Sequence, residues 1–278
     1  MRLVIQGHNL LPEHLASLAQ LTGRNDFIPL TGRAYALKQI ERNPEIIVWC
    51  EQHELDCAFV ADEHTLDTIG LVVMDMDSTL ISIECIDEIA DMQGLKPQVA
   101  AITASAMRGE MEFAESLRRR VSLLQGLDES ALQRVHDERL QLSPGAETLL
   151  RALQTKNIRT MLVSGGFTYF TERLKKRVGL DYAHANELEI ANGKITGKVL
   201  GGILDAQAKA DHLTRVRREL GLNIAQTVAI GDGANDLKMM SAAGIGIAYH
   251  AKPVVREQTT YALNHSGLDG VVNLLMAV

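Results

Sequence analysis

Leu71-Val72-Val73-Met74-Asp75-Met76-Asp77-Ser78-Thr79 is an apolar run that ends abruptly in two carboxylates spaced i, i+2, followed by two hydroxyls. Side chains alternate faces along an extended chain, so Asp75 and Asp77 point into the same space at the end of a strand. Two acids converging there repel one another unless a cation, a shared proton or strong donors intervene. The spacing alone has two readings. One is a site that holds a hard metal ion and does acid–base or nucleophilic work. The other is an acidic turn after a buried strand.

A second segment weighs on that choice. Thr227-Val228-Ala229-Ile230-Gly231-Asp232-Gly233-Ala234-Asn235-Asp236 again opens from an apolar run into glycines and acids. Gly231 and Gly233 allow tight turning where a helix over Ala234–Ala242 starts. Alone, this is a turn or calcium-loop candidate. With the first segment on a neighbouring strand, Asp232 and Asp236 face Asp75 and Asp77.

From residue 71 onward, strand and helix alternate. Strands are predicted at Leu71–Asp75, Thr160–Ser164, Thr227–Gly231, Ile245–Tyr249 and Tyr261–Asn264, each short and continuously apolar, as strands buried on both faces are. Helices at Pro144–Lys156, Phe167–Val178, Ala206–Leu220 and Ala234–Ala242 separate them. The fold class is therefore α/β, a doubly wound parallel sheet. Ligands of such sheets sit beyond the carboxyl ends of the strands, and Asp75, Ser164 and Asp232 all fall at such ends.

Two regions break the alternation. Residues 83–142 are helix-rich, with helices at Pro97–Met107, Glu112–Leu124 and Ser130–Leu140, and their insertion after the first core strand places them as a cap. Leu188–Gly197 reads as a hairpin around the Asn192-Gly193 turn. Residues 1–67 form a small separate α/β piece, with a strand at Leu3–Gln6, a helix at Pro12–Leu21, and strands at Glu45–Trp49 and Cys57–Ala61. The catalytic core is then 68–82 plus 143–278.

The chain has 278 residues, 46% hydrophobic and 23% charged, with net charge −7. An acidic chain without a basic stripe argues against nucleic acid and anionic membranes as partners, and 4% aromatic residues leave little for base stacking. Three cysteines (Cys50, Cys57, Cys85) without paired C-x-x-C spacing favour reduced thiols in a cytoplasm over a disulfide frame or zinc site. No secretory signal is evident, and no run approaches 18 apolar residues. The expected partner is a small molecule, with a homodimer as the candidate assembly.

Asp75-Met76-Asp77-Ser78-Thr79, Ser164-Gly165-Gly166-Phe167, Lys209 and Gly231-Asp232-Gly233-Ala234-Asn235-Asp236 occur in an order that resembles the haloacid-dehalogenase-type phosphatases. The likeness runs from about Gly70 to the C-terminus and is closest to the members that hydrolyse phosphoserine. It implies a Rossmann-like core with a helical cap and a Mg²⁺ cofactor, because Mg²⁺ prefers hard oxygens beside a substrate phosphate. It implies that Asp75 is the nucleophile that becomes an aspartyl phosphate. Asp77 is then the general acid for the leaving alkoxide and the base for water. An ordinary Asp titrates at about 3.9, so the protonated form of Asp77 must be favoured locally.

By the same resemblance Mg²⁺ is held by Asp75, Asp232 and the backbone carbonyl of Asp77. Asp236 either supports its waters or caps a helix. Ser164 and the Gly165 amide donate to the phosphoryl group, Lys209 neutralises it, and Asn235 touches substrate or orders its loop. Lys198 is the weaker lysine candidate because it lies in the hairpin. Glu84 receives the substrate ammonium. A guanidinium suits the carboxylate. Arg118, Arg119 and Arg120 lie about 100° apart around one helix and cannot all face the cleft, and family spacing selects Arg120. Met107 and Phe113 are either an apolar wall over the site or ordinary helix packing. In some relatives the N-terminal piece is an amino-acid-binding regulatory module, and a docking or oligomerisation piece is the alternative. Competing activities are phosphoserine:homoserine phosphotransfer, another small-metabolite phosphatase, or a decayed non-catalytic binding protein. The complete acid set argues against the last.

Overall fold

Two sheets organise the computed structural model, which describes all 278 residues apart from the side chain of Met107. The first is built by β1 (Arg2–Gln6), α1 (Pro12–Thr22), β2 (Ile28–Pro29), β3 (Ala34–Lys38), α2 (Pro44–Gln52) and β4 (Asp56–Val60). Its order is β2-β3-β1-β4, antiparallel throughout, which is the split βαβ arrangement of ferredoxin-like folds.

Glu45–Trp49, expected as a strand, is helix α2. The β-branched run Ile46-Ile47-Val48 suggested extended chain, but the local start signals are helical. The Asn43 side chain accepts from the Glu45 amide at 2.9 Å, and Pro44 takes the first helical position. Ile46 and Cys50, one turn apart, are then buried together on the sheet. Strands β2 and β3 were not anticipated.

The second sheet contains β5 (Leu71–Met74), β6 (Arg159–Phe167), β7 (Tyr182–Ala191), β8 (Lys194–Leu200), β9 (Thr227–Gly231), β10 (Ile245–Tyr249) and β11 (Tyr261–Leu263) in the order β11-β10-β9-β5-β6-β7-β8. All pairings are parallel except β7/β8, the predicted hairpin. Asn192 and Gly193 at its tip both have positive φ (52° and 72°), as a two-residue turn of this kind requires.

Between β5 and β6 lie α3 (Cys85–Asp91), α4 (Lys96–Met107), α5 (Phe113–Ser122) and α6 (Ser130–Arg134). The first of these was not anticipated, and the expected helix to Leu140 gives way to a wider turn over Val135–Arg139. The later helices are α7 (Ala146–Thr155), α8 (Thr168–Val178), α9 (Ala206–Glu219), α10 (Leu237–Ala242), α11 (Pro253–Arg256) and α12 (Gly270–Leu274).

The pleat of β5 explains the layering. Val72 and Met74 enter one apolar layer with Leu149 and Leu153 of α7 and Phe170 of α8. Leu71 and Val73 enter the opposite layer with Leu213 and Val216 of α9 and Met239 of α10. The chain runs outward from β5 through β6 and β7, then returns to the other side at β9. The sheet therefore reverses order between β5 and β9, which is where doubly wound sheets open a crevice.

The helical insertion is tied to the hairpin as well as to its two linkers. Gly126 N donates to Ile195 O and Ile195 N to Leu127 O, both at 2.8 Å. The N-terminal sheet docks on the core through Val4, Ala58 and Val60, which join the larger apolar layer. Polar groups complete that seam. The Arg2 guanidinium donates to the carbonyls of Ala61, His64 and Leu274, and the Gln6 and Asn273 side chains bond one another. No helix among the described residues is long and apolar enough to cross a membrane.

Candidate active site

Strands β5 and β9 are neighbours, with Met74 paired to Ile230. The next residues on each strand therefore emerge together, and the Asp75 amide donates to Ile230 O at 3.0 Å. One carboxylate oxygen from each of Asp75, Asp232 and Asp236 lies within 4.8 Å of the others. Asp75 and Asp236 are buried and Asp232 is partly exposed. Gly231 does not supply a left-handed turn here. It makes room, because a Cβ at that position would stand 2.5 Å from the Asp236 Cγ.

Lys209 reaches this cluster from α9, whose start is capped by the Asp205 carboxylate accepting from Ala208 N at 2.9 Å. Its ammonium is buried, 2.7 Å from Asp236 Oδ1 and 2.7 Å from Asp75 Oδ1. The contact to Asp75 is an ion pair poorly aligned for a hydrogen bond, so Asp75 Oδ1 is buried without a well-directed donor. Asp236 is better served, also accepting from Gly233 N at 3.2 Å. It therefore fixes both the lysine and the start of its own turn, Ala234–Asp236.

One ammonium against three carboxyls leaves excess negative charge. Burial, and then repulsion from Asp236, hold the Asp75 carboxyl well above the usual range, with Lys209 opposing. The same two causes push Asp232 up to about 6 against the pull of the Thr79 hydroxyl, which donates to Asp232 Oδ1 at 3.1 Å. Burial alone would lower the Lys209 ammonium, but Asp236 and Asp75 more than offset it and raise it.

The chain leaves β5 through a wide turn, Met76–Leu80, closed by Ile81 N donating to Met76 O at 3.0 Å. Met76 packs into the core at the start of this turn, so the extended alternation expected from the sequence stops at Met74, and Asp77 stands apart from the cluster of Asp75, Asp232 and Asp236. Asp77 Oδ1 accepts from the Cys85 amide at 3.0 Å. Desolvation raises the Asp77 carboxyl, and the Cys85 donor moderates the rise. Gly166 lets β6 approach it, since a Cβ there would stand 2.8 Å from Asp77 Oδ2 and 3.1 Å from Ser164 Oγ. Ser164 is fully buried and accepts from Gly166 N at 2.8 Å.

The helical insertion forms the opposite wall. Glu84 accepts from the Ser78 hydroxyl at 2.8 Å. Surrounding protein and Asp77 push its carboxyl up to about 8. Its residue surface is nonetheless exposed, and solvent reaching it through the open cleft limits that rise. Of the three arginines, Arg118 and Arg119 are exposed, the latter paired to Glu115, while Arg120 is half-buried. Desolvation lowers the Arg120 guanidinium, and Asp87, Glu84 and Asp77 act against that. The Phe113 ring covers Gly165, with Cζ 2.9 Å from where a Cβ would stand. Asn235 is half-buried beside Gly233. Lys198 is exposed on β8, outside the cluster. The side chain of Met107 lies outside the described residues.

Sequence reasoning left Thr79 and Asp87 without roles. Thr79 was visible inside the first motif, and Asp87 stands one turn beyond Glu84 on α3. Neither has a local signal for the partner it meets.

The family model for haloacid dehalogenase-like hydrolases matches residues 72–241. A phosphoserine phosphatase of Vibrio cholerae serotype O1 is 44% identical over 278 residues, covering 99% of this chain and 84% of that protein. The unliganded crystal structure of a probable phosphoserine phosphatase from Vibrio cholerae superposes with a TM-score of 0.86 at 43% identity, over 99% of this chain and 86% of that one. A haloacid dehalogenase family hydrolase from Salmonella enterica gives a TM-score of 0.89 at 33% identity, over 99% of both chains.

Proposed function

This chain belongs to the haloacid dehalogenase-like hydrolase family, and from that membership we propose that it hydrolyses O-phospho-L-serine to L-serine and phosphate, the closing step of serine biosynthesis, through an aspartyl phosphate on Asp75. The observation that carries this reading is the meeting of Asp75, Asp232, Asp236 and Lys209 at the carboxyl ends of β5 and β9.

Asp75 attacks phosphorus in line, and the serine alkoxide leaves as Asp77 hands it a proton. The raised carboxyl of Asp77 supports an acid that still holds its proton at working pH. Asp77 then takes a proton from the water that cleaves the acyl phosphate. Ser164 Oγ and the Gly165 amide donate to the phosphoryl oxygens, and Lys209 offsets their charge.

The acid cluster fits a hard cation. Three carboxylate oxygens lie close together, and Asp75 Oδ1 is buried without an aligned donor. Asp75, Asp232 and the Asp77 carbonyl would hold Mg²⁺, with Asp236 fixing Lys209 beside them. When bound, Mg²⁺ neutralises the acids and polarises the phosphoryl group. Glu84 takes the substrate ammonium and Arg120 its carboxylate, while Phe113 shields the site from water. The three free thiols support a reducing compartment, the cytoplasm.

Phosphate release from L-phosphoserine, measured with Mg²⁺, with excess chelator and for Asp75→Asn, tests the reading. Turnover is expected only for the wild type with Mg²⁺. Equal rates under all three conditions overturn the mechanism.

A further inference from the structure

We propose that Asn186 is a positioning residue for phosphoryl transfer, its side-chain amide bracing the segments that carry Ser164 and Lys209. The inference rests on the phosphatase reading above and adds a residue to it.

The β6/β7 ladder is interrupted where it meets the site. Val163 pairs with His184, and the next pair is Phe167 with Asn186, so Ser164, Gly165 and Gly166 fall in a shift of register. A bulge of this kind re-aims side chains but leaves backbone groups without ladder partners. Asn186 supplies one. Its Nδ2 donates to Gly165 O at 2.8 Å. That carbonyl belongs to the peptide joining Gly165 to Gly166, and the N–H of the same peptide donates to Ser164 Oγ at 2.8 Å. Asn186 thus fixes the plane of the peptide that holds the Ser164 hydroxyl.

The other half of the amide works elsewhere. Asn186 Oδ1 accepts from Leu204 N at 2.7 Å. Leu204 precedes Asp205, the cap of α9, and Lys209 extends from the first turn of that helix. One buried side chain, 2% exposed, therefore links two motif-bearing segments, 21 residues away in one direction and 18 in the other. The partners also fix the amide orientation, because a flip would set oxygen against carbonyl and N–H₂ against N–H. The bond from Leu204 N is buried and the one to Gly165 O is partly buried, so removing the amide leaves an N–H and a carbonyl without this partner and free to turn.

The test compares wild type with Asn186→Asp and Asn186→Ala. Three quantities are measured with Mg²⁺: kcat on phosphoserine, kcat on p-nitrophenyl phosphate, and the inhibition constant of orthophosphate. Asn186→Asp keeps an acceptor for Leu204 but turns an oxygen toward Gly165. The phosphoryl group is common to both esters and to the inhibitor. Both kcat values should therefore fall by about 10- to 100-fold, and the orthophosphate constant should rise roughly tenfold, as a misplacement of about 1 Å produces.

The inhibition constant does not depend on the folded fraction, so a merely structural role would leave it unchanged. Asn186→Ser, which keeps one short donor, gives the same measurement if the other two variants precipitate. Wild-type orthophosphate constants, or a loss confined to phosphoserine, overturn the proposal. A wild type active on the aryl ester but not on phosphoserine would instead sink the substrate reading, leaving Asn186 to be judged on the aryl ester.

Discussion

Asp56 and Asp75 are each 4% exposed, yet the molecule treats them in opposite ways. Asp56, in the seam between the N-terminal sheet and the core, accepts from three successive amides. Asn264 N lies 2.6 Å away, Ser266 N 2.8 Å, and His265 N 3.2 Å from both oxygens. Every lone pair has a use, and the acid staples β4 to the loop after β11. Asp75, in the cleft, has two acids and one poorly aligned ammonium for company. A buried charge is stabilising when donors surround it and unfavourable when they do not. The seam spends its acid on holding the fold. The cleft keeps its acid in want of a cation and a phosphoryl group.

The largest expected break in that contrast is Asp75→Asn. Loss of the nucleophile should reduce turnover by about 10⁴-fold or more, while the metal-free protein melts higher than metal-free wild type because one repelling charge has gone. A lower melting temperature would contradict the claim that the cleft is electrostatically strained. Asp56→Ala should do the reverse. It strands three amides, the Ser266 one buried and the other two partly so, and should cost roughly 3 kcal/mol of stability by denaturant unfolding, with kcat at low temperature little changed. A variant as stable as wild type would mean that the seam is not held by this acid.

Arg120→Ala sharpens the comparison within the cleft. It should raise KM for phosphoserine by about tenfold or more, the scale of a charged hydrogen bond, and leave an aryl phosphate nearly untouched. Equal losses on both esters would remove Arg120 from substrate selection.

How much of this was legible in the sequence follows from the same physics. Strands such as Leu71–Met74 and Thr227–Gly231 are buried on both faces, so their apolar runs and the acids that end them are visible locally. Arg120 was not separable from Arg118 and Arg119 by composition, and only family spacing picked the one that turns inward. In the N-terminal piece, Ile46-Ile47-Val48 carries strand-like chemistry inside a helix, and Asn43-Pro44 was the overlooked start signal. Asn186 and Asp56 were invisible for another reason. Their partners lie 18 or more residues away in sequence, and a side chain that satisfies distant backbone leaves no periodic trace.

The smallest expected effect separates the two acids through pH. Asp232 titrates at about 6 in the folded protein against an ordinary value of 3.8, and Asp75 and Asp77 are raised in the same sense. A raised carboxyl binds its proton more tightly when folded. Its contribution to stability is therefore fully present below 3.8 and is lost as pH climbs through about 6. Metal-free protein should lose stability over that window. A divalent ion requires the deprotonated acids and releases their protons, so it restores most where the loss is greatest. The rise in melting temperature on adding Mg²⁺ should be larger at pH 8 than at pH 5 by about 2–6 °C. Asp56→Ala should keep that pH-dependent increment, since its acid is outside the cleft, and Asp75→Asn should lose part of it. If both variants respond to Mg²⁺ alike at both pH values, the two carboxylates are not the opposites that their surroundings make them.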